Sequence, residues 1–141
     1  MLIRFTVTNG ELTPKQAIKG DVGYDLRSGI ELDIGPGKTV LVPTGLTLEL
    51  PTQCFAMVCS KSGLALHYGI TVVNSPGIID SGYRGEIKVI LRNSSDTLYK
   101  VEKFSKVAQL IITQYPTVNL VPVLELDSTD RADKGFGSTG L

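Results

Sequence analysis

Short runs of alternating or β-branched residues, each cut off by turn-forming residues, recur along almost the whole chain. They occupy positions 3–7, 30–34, 39–50, 54–60, 86–92, 107–113 and 118–124. Between them stand Gly35-Pro36-Gly37, Asn74-Ser75-Pro76-Gly77, Asn93-Ser94-Ser95-Asp96 and Tyr115-Pro116. β-branched side chains suit a pleated, half-buried surface, and turn signals this frequent cut strands to sandwich or barrel length. The expected fold class is therefore all-β. One short helix is expected over Ser62–Tyr68, with Ser62 as its cap. Beyond Leu126 the pattern gives way to Asp127-Ser128-Thr129-Asp130-Arg131-Ala132-Asp133-Lys134 and a Gly/Ser-rich end. Residues 1–126 are thus expected to form the β domain. Residues 127–141 are expected to form a flexible arm with nothing of its own to pack on.

At 141 residues the chain has room for one domain, and 42% hydrophobic residues supply its core. Lysine plus arginine and aspartate plus glutamate both number 14, so the formal net charge is zero. No broad basic field exists to hold nucleic acid, and an anionic ligand must be gripped locally. The N-terminus lacks a secretory pattern, and no stretch approaches the roughly 20 apolar residues of a membrane span. A soluble, cytoplasmic protein is expected. The only cysteines, Cys54 and Cys59, lie an odd number of positions apart in a strand-like run and should face opposite sides. They can neither share an ion nor close a local disulfide. With a single histidine, His67, there are too few ligands for a zinc site. His67 reads as a surface or turn residue.

Two motif resemblances fail. Gly35-Pro36-Gly37-Lys38-Thr39 looks like the end of a phosphate-binding loop, but Leu32 stands where the first glycine belongs and a strand follows where a helix is needed. Asp21-Val22-Gly23-Tyr24-Asp25 begins like a calcium loop, but Leu26 and Leu32 occupy the positions of its glycine and its bidentate glutamate.

Five segments carry chemistry, each with a plainer alternative. In Gly20-Asp21-Val22-Gly23-Tyr24-Asp25-Leu26 the carboxylates could mark a polar strand end, or Asp25 could hold a hydrated magnesium ion through its waters. Ser60-Lys61-Ser62-Gly63-Leu64-Ala65 could be simple capping, or a cation, hydroxyl and helix-start amides cradling phosphate. Residues 74–88, Asn-Ser-Pro-Gly-Ile-Ile-Asp-Ser-Gly-Tyr-Arg-Gly-Glu-Ile-Lys, could be an ordinary hairpin. Alternatively, the hairpin's exposed backbone reads a flat base by its edge, while Tyr83 packs on a sugar and Asp80 activates water. In Phe104-Ser105-Lys106-Val107-Ala108-Gln109 only Gln109 is a ligand candidate, against a solvent-facing strand glutamine. Finally, Arg131 to Gly140 could be a floppy end, or a lid with stacking Phe136, a guanidinium, hydroxyls and glycine amides for a polyphosphate.

Taken in order, these segments resemble the five motifs of the trimeric dUTPases, from Gly20 to Gly140. Gly77-Ile78-Ile79-Asp80-Ser81-Gly82-Tyr83-Arg84-Gly85-Glu86 and Gly135-Phe136-Gly137-Ser138-Thr139-Gly140 are the most specific stretches. The resemblance implies a distorted jelly-roll (β-clip) barrel with one short helix, assembled as a homotrimer whose active sites are shared. It implies Mg²⁺-dependent hydrolysis of dUTP to dUMP and pyrophosphate, which keeps uracil out of DNA and supplies dUMP for dTMP synthesis. Asp80 matches the water-activating carboxylate, and Tyr83 matches the residue that leaves no room for a 2′-hydroxyl. Asn74, Gly77, Ile78, Ile79 and Lys88 would read uracil and reject thymine's methyl group. Lys61, Ser62, Gly63 and Gln109 would face the phosphates, and Asp25 would reach Mg²⁺ through water. A neighbour's arm would bring Phe136 over uracil and Arg131, Gly137 and Ser138 to the triphosphate.

The chain departs from the family's usual pattern twice. Lys61 stands where arginine is common, losing a bidentate fork, so a weaker phosphate grip is expected. Phe104-Ser105-Lys106-Val107 replaces Gly-Asp-Arg-Ile, keeping one cation at Lys106. Two other functions fit the scaffold less well. A dCTP deaminase would need a glutamate within 88–92, where this chain has none, and a nucleotide-sensing regulator with a protein partner would bind dUTP tightly without turnover.

Overall fold

The computed structural model describes residues 1–130, 132 and 133. Ten strands and one α-helix follow in the order β1 (Arg4–Val7), β2 (Tyr24–Arg27), β3 (Leu32–Ile34), β4 (Thr39–Glu49), β5 (Cys54–Cys59), α1 (Ser62–Tyr68), β6 (Ile70–Val72), β7 (Gly77–Asp80), β8 (Ile87–Asn93), β9 (Tyr99–Val101) and β10 (Lys106–Gln114). A single 3-10 turn, Gly10–Leu12, follows β1. Two four-stranded antiparallel sheets, ordered β1-β4-β8-β6 and β2-β10-β5-β7, and a β3-β9 ribbon make up the jelly roll. One apolar cluster joins them, drawing Val42, Leu46, Val89 and Leu91 from the first sheet and Leu26, Ala56, Val58 and Leu110 from the second.

Period-two patterning explains the layering. In β5 and β8 buried residues alternate with more exposed ones, and the expected opposite orientation of Cys54 and Cys59 follows: Cys54 is buried and Cys59 half-buried. Long β4 is broken by a register shift between Pro43 and Leu46. Gly45 sits inside this irregularity at φ +65, and a β-carbon there would collide with Thr8 and with Leu12. Only glycine meets both demands. Its amide donates to Glu86 Oε1 at 2.7 Å, and Thr44 Oγ1 donates to the Ile87 carbonyl at 2.6 Å. The bulge therefore anchors the segment that leads into β8.

Several expectations change. The run 118–124 forms no strand among the described residues: its apolar side chains are exposed, and Pro122 removes a ladder donor from its middle. Polar or very short β2, β6, β7 and β9 are strands that periodicity alone did not mark. The helix has the expected bounds, but its cap is Lys61, without a side-chain hydrogen bond, and Ser62 is its first residue. Residues 74–88 are not a hairpin, because β7 pairs only with β5 while β8 pairs with β4 and β6. The intervening loop carries the chain from one sheet to the other. His67 is an exposed helix residue, as expected.

Candidate active site

Register places four candidate residues, Asp25, Gln109, Ile78 and Asp80, on the outer face of the second sheet. Gln109 of β10 lies opposite Asp25 of β2 on one side and Cys59 of β5 on the other. Further along β5, Met57 faces Ile78 and Phe55 faces Asp80 of β7. Directly opposed residues share a face. A polar row thus runs across three strands at one end of β5, and Ile78 and Asp80 stand towards its other end.

At the first end the chemistry is tightly paired. Asp25 is 6% exposed, and its carboxylate accepts from Lys61 Nζ at 2.5 Å and Lys106 Nζ at 2.7 Å. Burial pushes this carboxyl up, but the hydrogen bonds and charges of Lys106 and Lys61 outweigh it and hold the group below the usual carboxylate range. Gln109 Nε2 donates to the Ser60 carbonyl at 3.0 Å, tying the start of the Ser60–Gly63 loop to β10. A β-carbon at Gly23 would collide with Gln109 Oε1, so glycine there lets the amide lie flat across the strand. Ser60 Oγ accepts from the Val72 amide at 2.8 Å, and Ser75 Oγ accepts from the Ser60 amide at 3.2 Å. Ser62 and Gly63 are exposed, and nothing crowds Gly63. The result is a cationic, backbone-rich corner suited to phosphate oxygens.

At the other end the groups stand open. Asp80 is exposed, and no partner holds its carboxylate among the described residues. Its carbonyl accepts from the Tyr83 amide at 3.1 Å, closing a turn that fixes the two side chains relative to each other. Tyr83 is 46% exposed and donates its hydroxyl to the Glu86 carbonyl at 3.0 Å. Arg84 Nη1 donates to the Ser81 and Tyr83 carbonyls at 2.7 and 3.0 Å, bracing the same loop from its other side. Ile78 is 53% exposed on a strand whose second edge is unpaired, so its backbone can meet the edge of a flat ring. Gly77 is buried and Ile79 half-buried beside it, with Asn74 Nδ2 close above Gly77.

Lys88 does not join this edge. It belongs to β8 of the other sheet, projects outward from it, and lies 3.9 Å from Glu86 Oε2. Within one chain it stands apart from the Ile78 edge. Arg131, Phe136, Gly137 and Ser138 lie outside the described residues. Sequence reasoning missed Lys106 as a partner of Asp25; its one signal was a cation kept where the family's arginine stands. It also missed Glu86, whose carboxylate ties the Tyr83 loop to the β4 bulge. Among the described residues no group of three or more histidine, cysteine or acidic side chains could hold a metal ion unaided.

A family model described as dUTPase matches residues 11–140. The deoxyuridine 5'-triphosphate nucleotidohydrolase of Clostridioides difficile is 49% identical over 130 residues, covering 92% of this chain and 91% of the relative. That of Clostridium acetobutylicum is 47% identical over 135 residues, covering 96% and 93%. Among solved structures, the Staphylococcus bacteriophage 80alpha dUTPase with dUPNHPP superposes with a TM-score of 0.90, at 24% identity and 99% coverage of both chains. A mutant dUTPase from phage phi11 of S. aureus, described with a structural Mg(II) ion, gives 0.82 at 20% identity, covering 91% and 100%. At those identities the structural matches speak to the fold alone.

Proposed function

The chain belongs to the dUTPase family, and on that premise we propose how its residues divide the work of hydrolysing dUTP to dUMP and pyrophosphate. Asp80 orients and deprotonates the water that attacks the α-phosphorus in line. Its free carboxylate, fixed beside Tyr83 at an exposed sheet edge, is the observation that carries this assignment. No covalent intermediate is required. The edge at Ile78, with Gly77, Ile79 and Asn74, takes the uracil, and its closeness leaves no space for thymine's methyl group. The Tyr83 ring packs on deoxyribose and excludes a 2′-hydroxyl. Lys61, Ser62 and Gly63 meet the phosphates, while Gln109 acts by holding Ser60 in place.

The two ends of the polar face belong to different sites. Asp80 stands opposite Phe55 and Gln109 opposite Cys59, four residues further along β5, which is roughly 13 Å of strand. Among the described residues no hydrogen bond or ion pair links the two ends within one chain, which leaves each open to a second subunit. One subunit's Lys61 corner therefore meets another's Asp80 edge, in a homotrimer with three shared sites. The exposed apolar run 118–124, without a partner strand among the described residues, is suited to a neighbouring subunit. The arm at 127–141 then closes over a neighbour's site with Arg131, Phe136, Gly137 and Ser138.

A magnesium ion would be held mainly by the triphosphate itself. A lone carboxylate between two ammonium groups does not hold a bare divalent ion, but Asp25 fits as acceptor for the ion's water ligands once Lys61 turns to the phosphates. Bound there, the ion would neutralise charge developing on the phosphates. Pyrophosphate release with Mg²⁺ from dUTP, but not from dTTP, dCTP or UTP, is the expected activity profile. Shared sites are tested by co-folding Asp80→Asn chains with Lys61→Ala chains. Mixed trimers regain turnover because some sites receive both intact residues; a mixture no more active than its parents overturns the shared site.

A further inference from the structure

The ring of Tyr83 lies over a position where the chain has no side chain. A β-carbon at Gly85 would collide with Tyr83 Oη and would stand 2.5 Å from Cζ and 3.0 Å from Cε2. Yet Gly85 has no positive φ, so its backbone does not itself demand glycine. The space above it does. The same ring is held from its far end by the hydrogen bond from Oη to the Glu86 carbonyl. Glu86 is fixed in turn through its carboxylate to the Gly45 amide in the β4 bulge. A short chain of contacts thus runs from the bulge to the tyrosine hydroxyl, and Gly85 is the gap that lets the ring lie along it. By contrast Gly82, in the same loop, has nothing within 4 Å of where its β-carbon would be.

We propose that Gly85 is a positioning residue for sugar discrimination: its missing side chain seats the Tyr83 ring at the height that admits deoxyribose and rejects ribose. This rests on the reading of Tyr83 given above. A methyl group at Gly85 lifts the half-exposed ring off its seat without straining the backbone. The fold stays intact, and the enzyme loses its preference for dUTP over UTP.

The test compares kcat and KM for dUTP and for UTP in wild type, Gly85→Ala, Gly82→Ala, Tyr83→Ala and the double variant Tyr83→Ala/Gly85→Ala, with thermal unfolding alongside. Gly85→Ala is expected to lower the dUTP-over-UTP ratio of kcat/KM by about tenfold or more, the scale of one displaced packing contact. Gly82→Ala leaves the ratio unchanged. Adding Gly85→Ala to Tyr83→Ala changes the ratio no further, because Gly85 acts only through the ring. Equal ratios in Gly85→Ala and Gly82→Ala overturn the proposal. So does a Gly85→Ala chain that fails to fold, since the backbone accepts alanine and only the ring stands in its way. An unchanged ratio in Tyr83→Ala instead overturns the reading of Tyr83 on which the proposal stands.

Discussion

The two ends of the outer sheet face are built on opposite principles. At the Lys61 end a buried carboxylate is held between two lysines, and the local order rests on charge. At the Asp80 end the carboxylate is free, and order comes from a tight turn, the Tyr83–Glu86 hydrogen bond and the space above Gly85. On the proposed division of roles, the difference follows from what each end would do. A group that removes a proton from water needs an available carboxylate, so neighbouring cations would only weaken it as a base. A group that receives phosphates needs cations in place beforehand, and an internal counter-ion keeps those cations from repelling one another until the ligand replaces it.

The hardest break in this comparison is Asp80→Asn. Because the side chain is exposed and has no partner among the described residues, stability and nucleotide binding should remain near wild type while kcat falls by about 10²–10⁴-fold, the usual contribution of a positioned general base. Steady-state kinetics beside calorimetric titration with a non-hydrolysable dUTP analogue separates the two effects. Near-normal turnover would remove Asp80 from its role.

Asp25→Asn should do the reverse, costing stability as well as grip. It leaves Lys61 and Lys106 facing each other without their counter-ion, and a loss of about 2–3 kcal/mol in urea unfolding is expected, with a raised KM. The pH dependence sharpens this. Asp25's folded pKa is lowered, so its contribution is fully present above the ordinary aspartate value of about 3.9 and is lost as pH falls through the lowered folded value. The stability gap between wild type and Asp25→Asn should therefore be level near neutrality and narrow only in that acid window. A gap independent of pH down to full protonation would show that the pair stabilises by packing and not by charge.

The same contrast governs how much could be read from sequence. The long alternating strands were legible because each carries its own burial pattern, as β5 and β8 do. The strands β2 and β7 were not, since Tyr24–Arg27 and Gly77–Asp80 owe their extended state to the ladders they join rather than to their composition. The run 118–124 differs in the other direction: it has strand composition but no partner strand among the described residues. At the site, the turn from Asp80 to Tyr83 is local and its residues stood out as a motif. The Asp25–Lys106 pair joins residues far apart in sequence, through a strand pairing that no local pattern announces.

Phe104 gives the smallest and most discriminating test at the charged end. It precedes Ser105 and Lys106, stands where the family usually has glycine, and retains a left-handed backbone, φ +67, that glycine adopts freely. Two hydrogen bonds hold it there: the Phe104 amide donates to the Ser28 carbonyl at 2.8 Å, and Arg27 Nη1 donates to the Phe104 carbonyl at 2.8 Å. The ring lies 5.1 Å beneath Lys103 Nζ, which offsets part of the strain. Phe104→Gly relieves a backbone cost of about 1–2 kcal/mol, but it frees the unfolded chain and gives up the ring contact, leaving a net gain of about 0.5 kcal/mol. Phe104→Val keeps the strain and adds a β-branched side chain poorly suited to positive φ, so it should lose about 1 kcal/mol. Opposite signs for the two variants in urea unfolding would locate the strain in the backbone. A loss in both would mean that the phenyl ring, and not the turn, holds this loop and the lysine that follows it.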